Sequence, residues 1–248
     1  MSISQTGIAP VDMIVLAGGK GTRLQDVVSD VPKPLAQVGG RPFLDYVLET
    51  IAASGCVRKA VLAIGHLAHK VIEHYEIHGA PIPVEFVVET EPLGTGGAIA
   101  NALEATQGET VLACNADSLA RWDLAGLLTA HRDSDAQVTI GTTEVSDASR
   151  FGTCVIEDGK VVRFLEKQGV HTPGTINLGV YAFKRGVITG TGAFSLESSI
   201  LPALASQRAI QAFPMAGPFL DIGLPETYAA AESFLENLSE QNASGEAN

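Results

Sequence analysis

The chain has 248 residues, of which 46% are hydrophobic and 18% are charged, as in an ordinary globular domain. Its 28 acidic and 16 basic residues give a net charge of −12 without a basic stripe, which argues against nucleic acid as a partner. No apolar run approaches the roughly 18 residues that span a bilayer, and the N-terminus lacks the basic and apolar regions of a secretory signal, so no membrane partner is expected.

The three cysteines, Cys56, Cys114 and Cys154, are too few and too scattered for a disulfide framework or a zinc site. Cys114 and Cys154 lie in apolar, strand-like runs and are interpreted as small buried hydrophobic residues. This usage of cysteine indicates a reducing compartment and predicts a cytoplasmic location.

Strands and helices alternate along the first half of the chain. An apolar strand at 13–16 precedes a glycine-rich loop, and a helix with one apolar face begins at Pro42 and ends at Gly55. The next predicted elements are a strand at 59–64, a helix at 66–76, a strand at 82–89, a short helix at 96–105 and a strand at 110–114. This alternation predicts a mostly parallel sheet that binds ligands at the carboxyl ends of its strands.

The second half predicts an antiparallel subregion. Its expected elements are a helix capped by Asp123 and ending near 132, a strand at 137–145, a hairpin of strands 152–156 and 160–165 around Glu157-Asp158-Gly159, a strand at 175–183, a helix from Ser195 to about Pro202, and a helix from Pro225 to about Leu238. The predicted fold class is therefore α/β, a Rossmann-like mixed and mostly parallel sheet with helices on both faces. We expect an N-terminal extension at 1–11, one domain at 12–238 with halves at about 12–118 and 119–238, and a polar tail at 239–248.

The loop after the first strand, LAGGKGTRL at 16–24, carries the strongest chemical signal. Its glycines allow several backbone N–H groups to point inward, and Arg23 adds a guanidinium, which together suit a phosphate. Lys33, held between two prolines, supplies a second fixed cation. The alternative is an ordinary strand-to-helix turn, in which glycines merely permit positive φ. The two cations favour a nucleoside triphosphate site.

Two familiar glycine-rich motifs do not fit this loop. A dinucleotide-binding fingerprint counted from Gly19 requires a third glycine where Leu24 stands. No Walker sequence occurs around this strand either. Because the chain is acidic overall, a polyanionic substrate requires a local focus of positive charge. The candidates for that focus are Lys20, Arg23, Lys33 and Lys167.

Residues 16–48, LAGGKGTRLQDVVSDVPKPLAQVGGRPFLDYVL, resemble the signature of the sugar-1-phosphate nucleotidyltransferases. Further matching segments follow in the family's order: EPLGTGGAI (91–99), CNAD (114–117), EK (166–167), NLGVY (177–181) and DIGLPETY (221–228). Within the family, VVSDVPKP and RPFLDYVL resemble the guanylyltransferases of D-glycero-α-D-manno-heptose 1-phosphate. The resemblance covers nearly the whole chain.

This resemblance implies that a sugar 1-phosphate oxygen attacks the α-phosphorus of a nucleoside triphosphate, preferably GTP, and releases pyrophosphate. It also implies a Mg²⁺ ion that bridges the two phosphates. The expected partners are the nucleotide and the sugar 1-phosphate, and a homo-oligomer is left open. Uridylyl transfer to N-acetylmuramate 1-phosphate, guanylyl transfer to mannose 1-phosphate, cytidylyl transfer to phosphocholine and a non-catalytic nucleotide-sugar sensor stay as alternatives.

The same resemblance assigns residue roles. The catalytic set is Arg23, Lys33, Asp117 and Lys167, and the metal ligands are Asp117 and Asp221. The nucleotide-binding set is Leu16, Ala17, Gly18, Gly19, Gly21, Thr22, Arg23, Lys33, Glu89, Gly94 and Thr95. The sugar-binding set is Gly152, Glu166, Lys167 and Asn177.

Three of these assignments have alternatives in the residues themselves. Asp117 follows an apolar strand, where a turn or capping residue is also common. The carboxylate of Glu89 can accept from N1–H and N2–H of guanine together, or from the single N3–H of uracil or thymine. Glu166 and Lys167 end a predicted strand, which would place their side chains on opposite faces and allow a plain surface ion pair.

Overall fold

The computed structural model describes residues 7–19, 21–24, 28, 31–167 and 169–245. Its strands are β1 Val11–Ala17, β2 Gln37–Val38, β3 Arg41–Pro42, β4 Val57–Ile64, β5 Val84–Val88, β6 Thr110–Asn115, β7 Ser118–Ala120, β8 Val138–Val145, β9 Thr153–Glu157, β10 Lys160–Leu165, β11 Gly174–Lys184, β12 Ile210–Pro214 and β13 Phe219–Asp221. Its α-helices are α1 Phe43–Ala53, α2 Ala68–His78, α3 Gly94–Ala102, α4 Leu124–Asp133, α5 Leu201–Ser206, α6 Pro225–Ala229 and α7 Ala231–Gly245.

The central sheet of the described chain has the strand order β5-β4-β1-β6-β11-β8-β12-β10-β9. The strands of the first half, β5, β4, β1 and β6, pair in parallel. Strand β11 then runs antiparallel between β6 and β8, and the far edge is the antiparallel hairpin of β9 and β10. The structure is therefore the α/β fold with a mixed sheet that the sequence predicts. The antiparallel pairings of this sheet all involve strands of the second half, but this half is not purely antiparallel, since β8 and β12 pair in parallel.

Strand β1 shows why the sheet is covered on both faces. All but one of its residues are buried, as expected for a central strand of a parallel sheet. Met13 and Val15 pack into a core with helices α1, α2 and α4, whereas Ile14 packs into a second core with α3 and α5 on the other face. Successive side chains of β1 therefore point to opposite faces of the sheet and pack into two different cores.

Helix α1 confirms the predicted apolar face. Its buried residues are Phe43, Leu44, Val47, Leu48 and Ile51, all fully buried. At about 25 cal/mol per Å² of buried apolar surface, each such side chain contributes roughly 1.5–3 kcal/mol.

Two local predictions in the second half are confirmed. The side chain of Asp123 caps α4 by accepting a hydrogen bond of 2.7 Å from the Gly126 N–H. The β9–β10 hairpin turns through Asp158 and Gly159, whose φ values of 50° and 74° are those of a type I′ turn.

The C-terminal quarter departs from the sequence-based prediction. Ser195 caps a π-helical turn at Leu196–Ile200, and the chain continues as α5 to Ser206 instead of ending near Pro202. Proline is compatible with the first turn of a helix because the N–H groups there need no intrahelical acceptor. The short strands β12 and β13 were not predicted.

The last predicted helix is divided and longer than expected. It breaks at Ala230 into α6 and α7, and α7 runs past Leu238 to Gly245. Residues 239–245 of the predicted polar tail are therefore helical. The part of the chain that the structure covers contains no helix both long and apolar enough to cross a membrane.

His131 lies on α4 and is buried, with 1% of its surface exposed. Its Nδ1 lies 2.9 Å from Oγ1 of Thr139 on β8, and no partner for its Nε2 exists among the described residues. Burial, followed by the positive charges of Lys184 and Arg132, lowers the pKa of His131 to about 4. The folded state therefore holds this imidazole neutral.

We expect the free energy of unfolding to decrease as the pH falls from about 6.5 to about 4. The imidazole takes a proton near pH 6.5 in the unfolded chain but only near pH 4 in the folded one, so acid favours unfolding across this window. The loss attributable to His131 at pH 4 is of the order of 3 kcal/mol. Urea midpoints measured at pH 7 and pH 4.5 on the wild type and on His131→Asn check this, because asparagine does not titrate. Equal pH dependence in the two proteins would contradict the assignment.

Candidate active site

A cavity of about 530 Å³ opens at the carboxyl ends of the parallel strands. Leu16 and Ala17 at the end of β1, Glu89 after β5 and Asn115 at the end of β6 form one side. Residues 150–152, between β8 and β9, belong to the other side. This is where a doubly wound sheet binds its ligands, as the sequence predicts.

Every predicted site residue whose side chain the structure describes lines this one cavity. These residues are Leu16, Ala17, Gly18, Gly19, Gly21, Arg23, Lys33, Glu89, Gly94, Thr95, Asp117, Gly152, Glu166, Lys167, Asn177 and Asp221. The side chain of Thr22 and the whole of Lys20 lie outside the described part of the chain. The fold therefore brings together residues from both halves, and their individual roles are taken up below as proposals.

Lys33 lies between the two predicted metal-binding aspartates. Its ammonium forms an ion pair with Oδ2 of Asp117 and lies 3.9 Å from Oδ1 of Asp221. Lys33 is held there by a 3₁₀ turn, Lys33–Leu35, that follows extended Pro32. One cation thus reaches both carboxylates.

A small two-stranded ribbon places these aspartates together although they are distant in sequence. Strands β7 and β13 pair antiparallel, with Asp221 opposite Ser118, the residue directly after Asp117. The Gly223 N–H donates a 2.7 Å hydrogen bond to Oδ1 of Asp221, which orients that carboxylate. The backbone therefore fixes the separation of the two carboxylates.

These residues fit a magnesium ion. Both carboxylates are partly open to the cavity, with 35% of the Asp117 side chain and 24% of the Asp221 side chain exposed. No cluster of three or more metal-ligating side chains occurs in the described ranges. Mg²⁺ commonly takes only one or two protein carboxylates and completes its octahedron with phosphate oxygens and water. Two carboxylates that line the same cavity meet that requirement.

Arg150 is a cation of the site that the sequence analysis did not select. Its Nη2 lies 3.6 Å from Oδ2 of Asp221, and its guanidinium lies over the ring of Phe151 at 5.7 Å. Phe151 in turn packs edge-to-face on Phe219, the first residue of β13. A single arginine in a loop carries no pattern of its own, so only its position in the fold reveals it.

Glu89 lies against the glycine-rich loop. A Cβ atom on Gly18 would lie 2.8 Å from Oε1 of Glu89, so a side chain at position 18 would displace the Glu89 carboxylate. The Leu93 N–H donates a 3.2 Å hydrogen bond to Oε2. Burial raises the pKa of Glu89, and the hydrogen bond from Leu93 partly offsets this rise.

The glycines that begin α3 serve packing. The N–H groups of Gly96 and Gly97 both donate to the carbonyl of Phe194, at 3.0 and 3.2 Å. A Cβ on Gly96 would lie 2.4 Å from the Phe194 ring, and one on Gly97 would lie 2.4 Å from the carbonyl oxygen of Gly192. These two N-terminal amides of α3 are therefore occupied by the protein itself.

Gly94 and Thr95, both predicted to bind nucleotide, also contact this later part of the chain. A Cβ on Gly94 would lie 2.6 Å from the Phe194 carbonyl oxygen. The Thr95 hydroxyl donates to Oε2 of Glu197 and accepts a 2.9 Å hydrogen bond from the Leu196 N–H. The hydroxyl of Thr95 is thus engaged by a segment that the prediction did not connect to it.

The far end of the cavity is built from an irregularity in β11. The pairing of β11 with β8 shifts between Asn177 and Tyr181. Asn177 donates from Nδ2 to the Tyr181 hydroxyl at 2.6 Å and accepts at Oδ1 from the Gly179 N–H at 2.9 Å. Gly179 has a φ of 69°, and a Cβ there would lie 2.4 Å from Nδ2 of Asn115. Glycine at 179 therefore keeps Asn115 in the cavity wall.

The predicted geometry of Glu166 and Lys167 is wrong. Strand β10 ends at Leu165, so both residues lie in the following loop, where strand alternation does not apply. Both line the cavity. Lys167 joins Arg23, Lys33 and Arg150 among the basic side chains of the cavity, which also has five acidic ones: Glu89, Asp117, Glu166, Glu197 and Asp221. The predicted focus of positive charge is therefore a set of individual cations and not a net excess of positive charge.

Comparison with known proteins agrees with this geometry. A D-glycero-alpha-D-manno-heptose 1-phosphate guanylyltransferase from Aneurinibacillus thermoaerophilus is 34% identical over 233 residues, which cover 92% of this chain and 99% of that protein. A mannose-1-phosphate guanylyltransferase from Mycobacterium tuberculosis is 36% identical over 91% of this chain, which spans only 64% of that protein. The crystal structure of HddC from Yersinia pseudotuberculosis complexed with GMP-PN superposes with a TM-score of 0.78 at 32% identity, covering 91% of this chain and 99% of that one.

The family model described as nucleotidyl transferase matches residues 12–237, which is nearly the whole described chain. The chain belongs to the nucleotidyl transferase family.

Proposed function

We propose that this protein transfers the guanylyl group of GTP to D-glycero-α-D-manno-heptose 1-phosphate and releases pyrophosphate. The observation that carries the proposal is that Asp117 and Asp221 both lie beside the Lys33 ammonium, in a cavity that Arg23, Arg150 and Lys167 also line. The choice of guanine and of heptose rests on the relatives, one of which is a guanylyltransferase for this sugar and one of which was crystallised with GMP-PN.

In the proposed reaction, a phosphate oxygen of the sugar 1-phosphate forms a bond to the α-phosphorus of GTP. The bond from the α-phosphorus to the oxygen that bridges it to the β-phosphorus breaks, and the electron pair leaves with pyrophosphate. The protein contributes mainly positioning and charge stabilisation. When bound, Mg²⁺ would neutralise part of the negative charge of the two reacting phosphates and so reduce their mutual repulsion.

The residues of the cavity divide between the two substrates. The backbone of Gly18, Gly19 and Gly21, with the guanidinium of Arg23, holds the triphosphate. Lys167 holds the phosphate of the sugar, and Glu89 accepts from the edge of guanine. Arg150 adds a second guanidinium beside Asp221, where the two phosphates meet.

Lys33 balances the charge of the site. Two ionised carboxylates close to each other repel electrostatically. The positive charge of the Lys33 ammonium beside Asp117 offsets this repulsion. When substrates enter, the same ammonium is within reach of the phosphate oxygens. Lys33 thus serves as the fixed cation that the sequence predicts.

The main alternative acceptor is mannose 1-phosphate. The relative that uses it is longer, and this chain spans less than two thirds of it.

A sensor without catalysis is disfavoured, because the charged set of Arg23, Lys33, Asp117, Lys167 and Asp221 is complete. A cytoplasmic location stays part of the proposal, since Cys56, Cys114 and Cys154 are free thiols.

Asp117→Asn and Asp221→Asn are each expected to lower the rate of pyrophosphate release by about 100-fold or more, because an amide is a poor Mg²⁺ ligand and no longer matches the charge of the site. Release is measured with GTP, the heptose 1-phosphate and MgCl₂. Asp135→Asn is the matched control, since Asp135 is exposed and pairs with Lys160 away from the cavity. Full activity in Asp117→Asn would remove that residue from the mechanism.

GTP is expected to raise the melting temperature more than UTP, CTP or dTTP, each with Mg²⁺. At 100 times the dissociation constant, a ligand that binds only the folded state adds about 2.7 kcal/mol, which corresponds to a shift of about 5–10 °C for a domain of this size. Glu89→Gln should reduce the shift with GTP, since an amide cannot accept from N1–H and N2–H as a carboxylate does. A panel in which GTP ranks last would contradict the guanylyl assignment.

A further inference from the structure

Residues 189–197, TGTGAFSLE, form a segment that packs on the beginning of α3, and we call it the 189–197 segment. The Phe194 N–H donates to the Leu93 carbonyl at 2.9 Å, and the Phe194 carbonyl accepts from two amides of α3. Gly96 and Gly97 are glycine because this segment leaves no space for a Cβ atom. The segment is therefore held firmly against an element of the nucleotide half.

The last residue of the segment, Glu197, lines the cavity. Its Oε2 accepts a hydrogen bond from the Thr95 hydroxyl and another, of 3.0 Å, from the Ser195 hydroxyl. Thr95 is itself fixed by the Leu196 N–H, and Ser195 caps the turn in which Glu197 lies. Since both hydroxyls bind Oε2, the carboxylate has a set orientation in the cavity wall.

Glu197 lies near strand β11, because Leu196, the residue before it, packs in the same buried core as Tyr181 of that strand. Tyr181, fully buried on β11, has a pKa raised chiefly by burial and next by the negative charge of Glu197, and the charge of Glu166 acts in the same direction. The Tyr181 hydroxyl accepts a hydrogen bond from the amide of Asn177. Asn177 and Glu166 belong to the sugar-binding set predicted from the sequence.

We propose that Glu197 determines specificity for the sugar by accepting a hydrogen bond from one of its hydroxyls, and that Thr95 and Ser195 are positioning residues for it. This inference rests on the proposed function. An ionised carboxylate only accepts hydrogen bonds and repels phosphate, so its partner is a neutral group with a donor. The position of Glu197 near β11, which carries Asn177, favours a hydroxyl of the sugar over the donors of the nucleotide. Thr95, predicted to bind nucleotide, then acts on the sugar side through Glu197.

The test is the steady-state kinetics of the full chain with GTP, Mg²⁺ and the heptose 1-phosphate. Glu197→Gln is expected to raise KM for the sugar 1-phosphate about 10-fold or more, because a hydrogen bond to a charged acceptor is replaced by a weaker one. The KM for GTP and the thermal shift caused by GTP should stay as in the wild type. Glu104→Gln, which changes an exposed glutamate outside the cavity, is the matched control.

The positioning role has its own variants. Thr95→Val removes the hydroxyl that holds Glu197 and should raise KM for the sugar 1-phosphate several-fold, and Thr95→Ser should restore it. Ser195→Ala should give a smaller change in the same direction. A purely structural role would not produce this selective effect on one substrate or its rescue by serine.

Direct calorimetric titration with heptose 1-phosphate and mannose 1-phosphate, without nucleotide, separates this inference from the proposed function. Weaker binding of a sugar phosphate to Glu197→Gln supports the role of Glu197 even where GTP is not the donor. Unchanged sugar binding and unchanged KM in Glu197→Gln would overturn the inference, as would a change confined to GTP. If the wild type binds GTP but neither sugar phosphate, the inference is also overturned while guanine recognition stands.

Discussion

The site depends on two carboxylates that share one cation. Asp117 and Asp221 come from different halves of the chain, and both lie beside the ammonium of Lys33. The β7–β13 ribbon enforces this arrangement through backbone pairing, so it does not rely on flexible side chains alone. These charged groups lie at the carboxyl ends of the parallel strands, where this kind of sheet binds ligands, and phosphoryl transfer depends on positioning and charge stabilisation.

The two halves of the chain are joined by packing as much as by the sheet. The glycine-rich beginning of α3 receives the 189–197 segment, whose Phe194 occupies the space that side chains on Gly94 and Gly96 would need. Through Thr95 and Glu197, this contact joins two parts of the cavity wall that are 102 residues apart in the chain. The segment that was predicted from resemblance to bind the nucleotide is therefore also packed against the second half of the chain.

Sequence patterns predicted the features that depend on local rules. The apolar periodicity of α1, the Asp123 cap and the Asp158-Gly159 turn each follow from neighbouring residues, and the structure confirms them. The long alternation of strands and helices likewise predicted the edge of the sheet where the cavity lies. Family resemblance, and not periodicity, selected the residues that line it.

Features that depend on distant contacts were missed. Strand β13 has three residues and exists because β7 lies beside it, which no local pattern records. Arg150 is recognised as a residue of the site only by its distance to Asp221. The contact made by the Thr95 hydroxyl is likewise seen only in its hydrogen bond to Glu197. Strand β10 has the predicted bounds, but Glu166 and Lys167 come after its last residue, Leu165, so the alternation of strand side chains does not set their orientation.

The central claim is that Asp117 and Asp221 hold one divalent cation together with the triphosphate. Electron paramagnetic resonance with Mn²⁺ as the probe, in the presence of a non-hydrolysable GTP analogue, tests this most directly. The account predicts one tightly bound ion per wild-type chain and weakening by about 10-fold or more in both Asp117→Asn and Asp221→Asn. Wild-type Mn²⁺ affinity in either variant would contradict it.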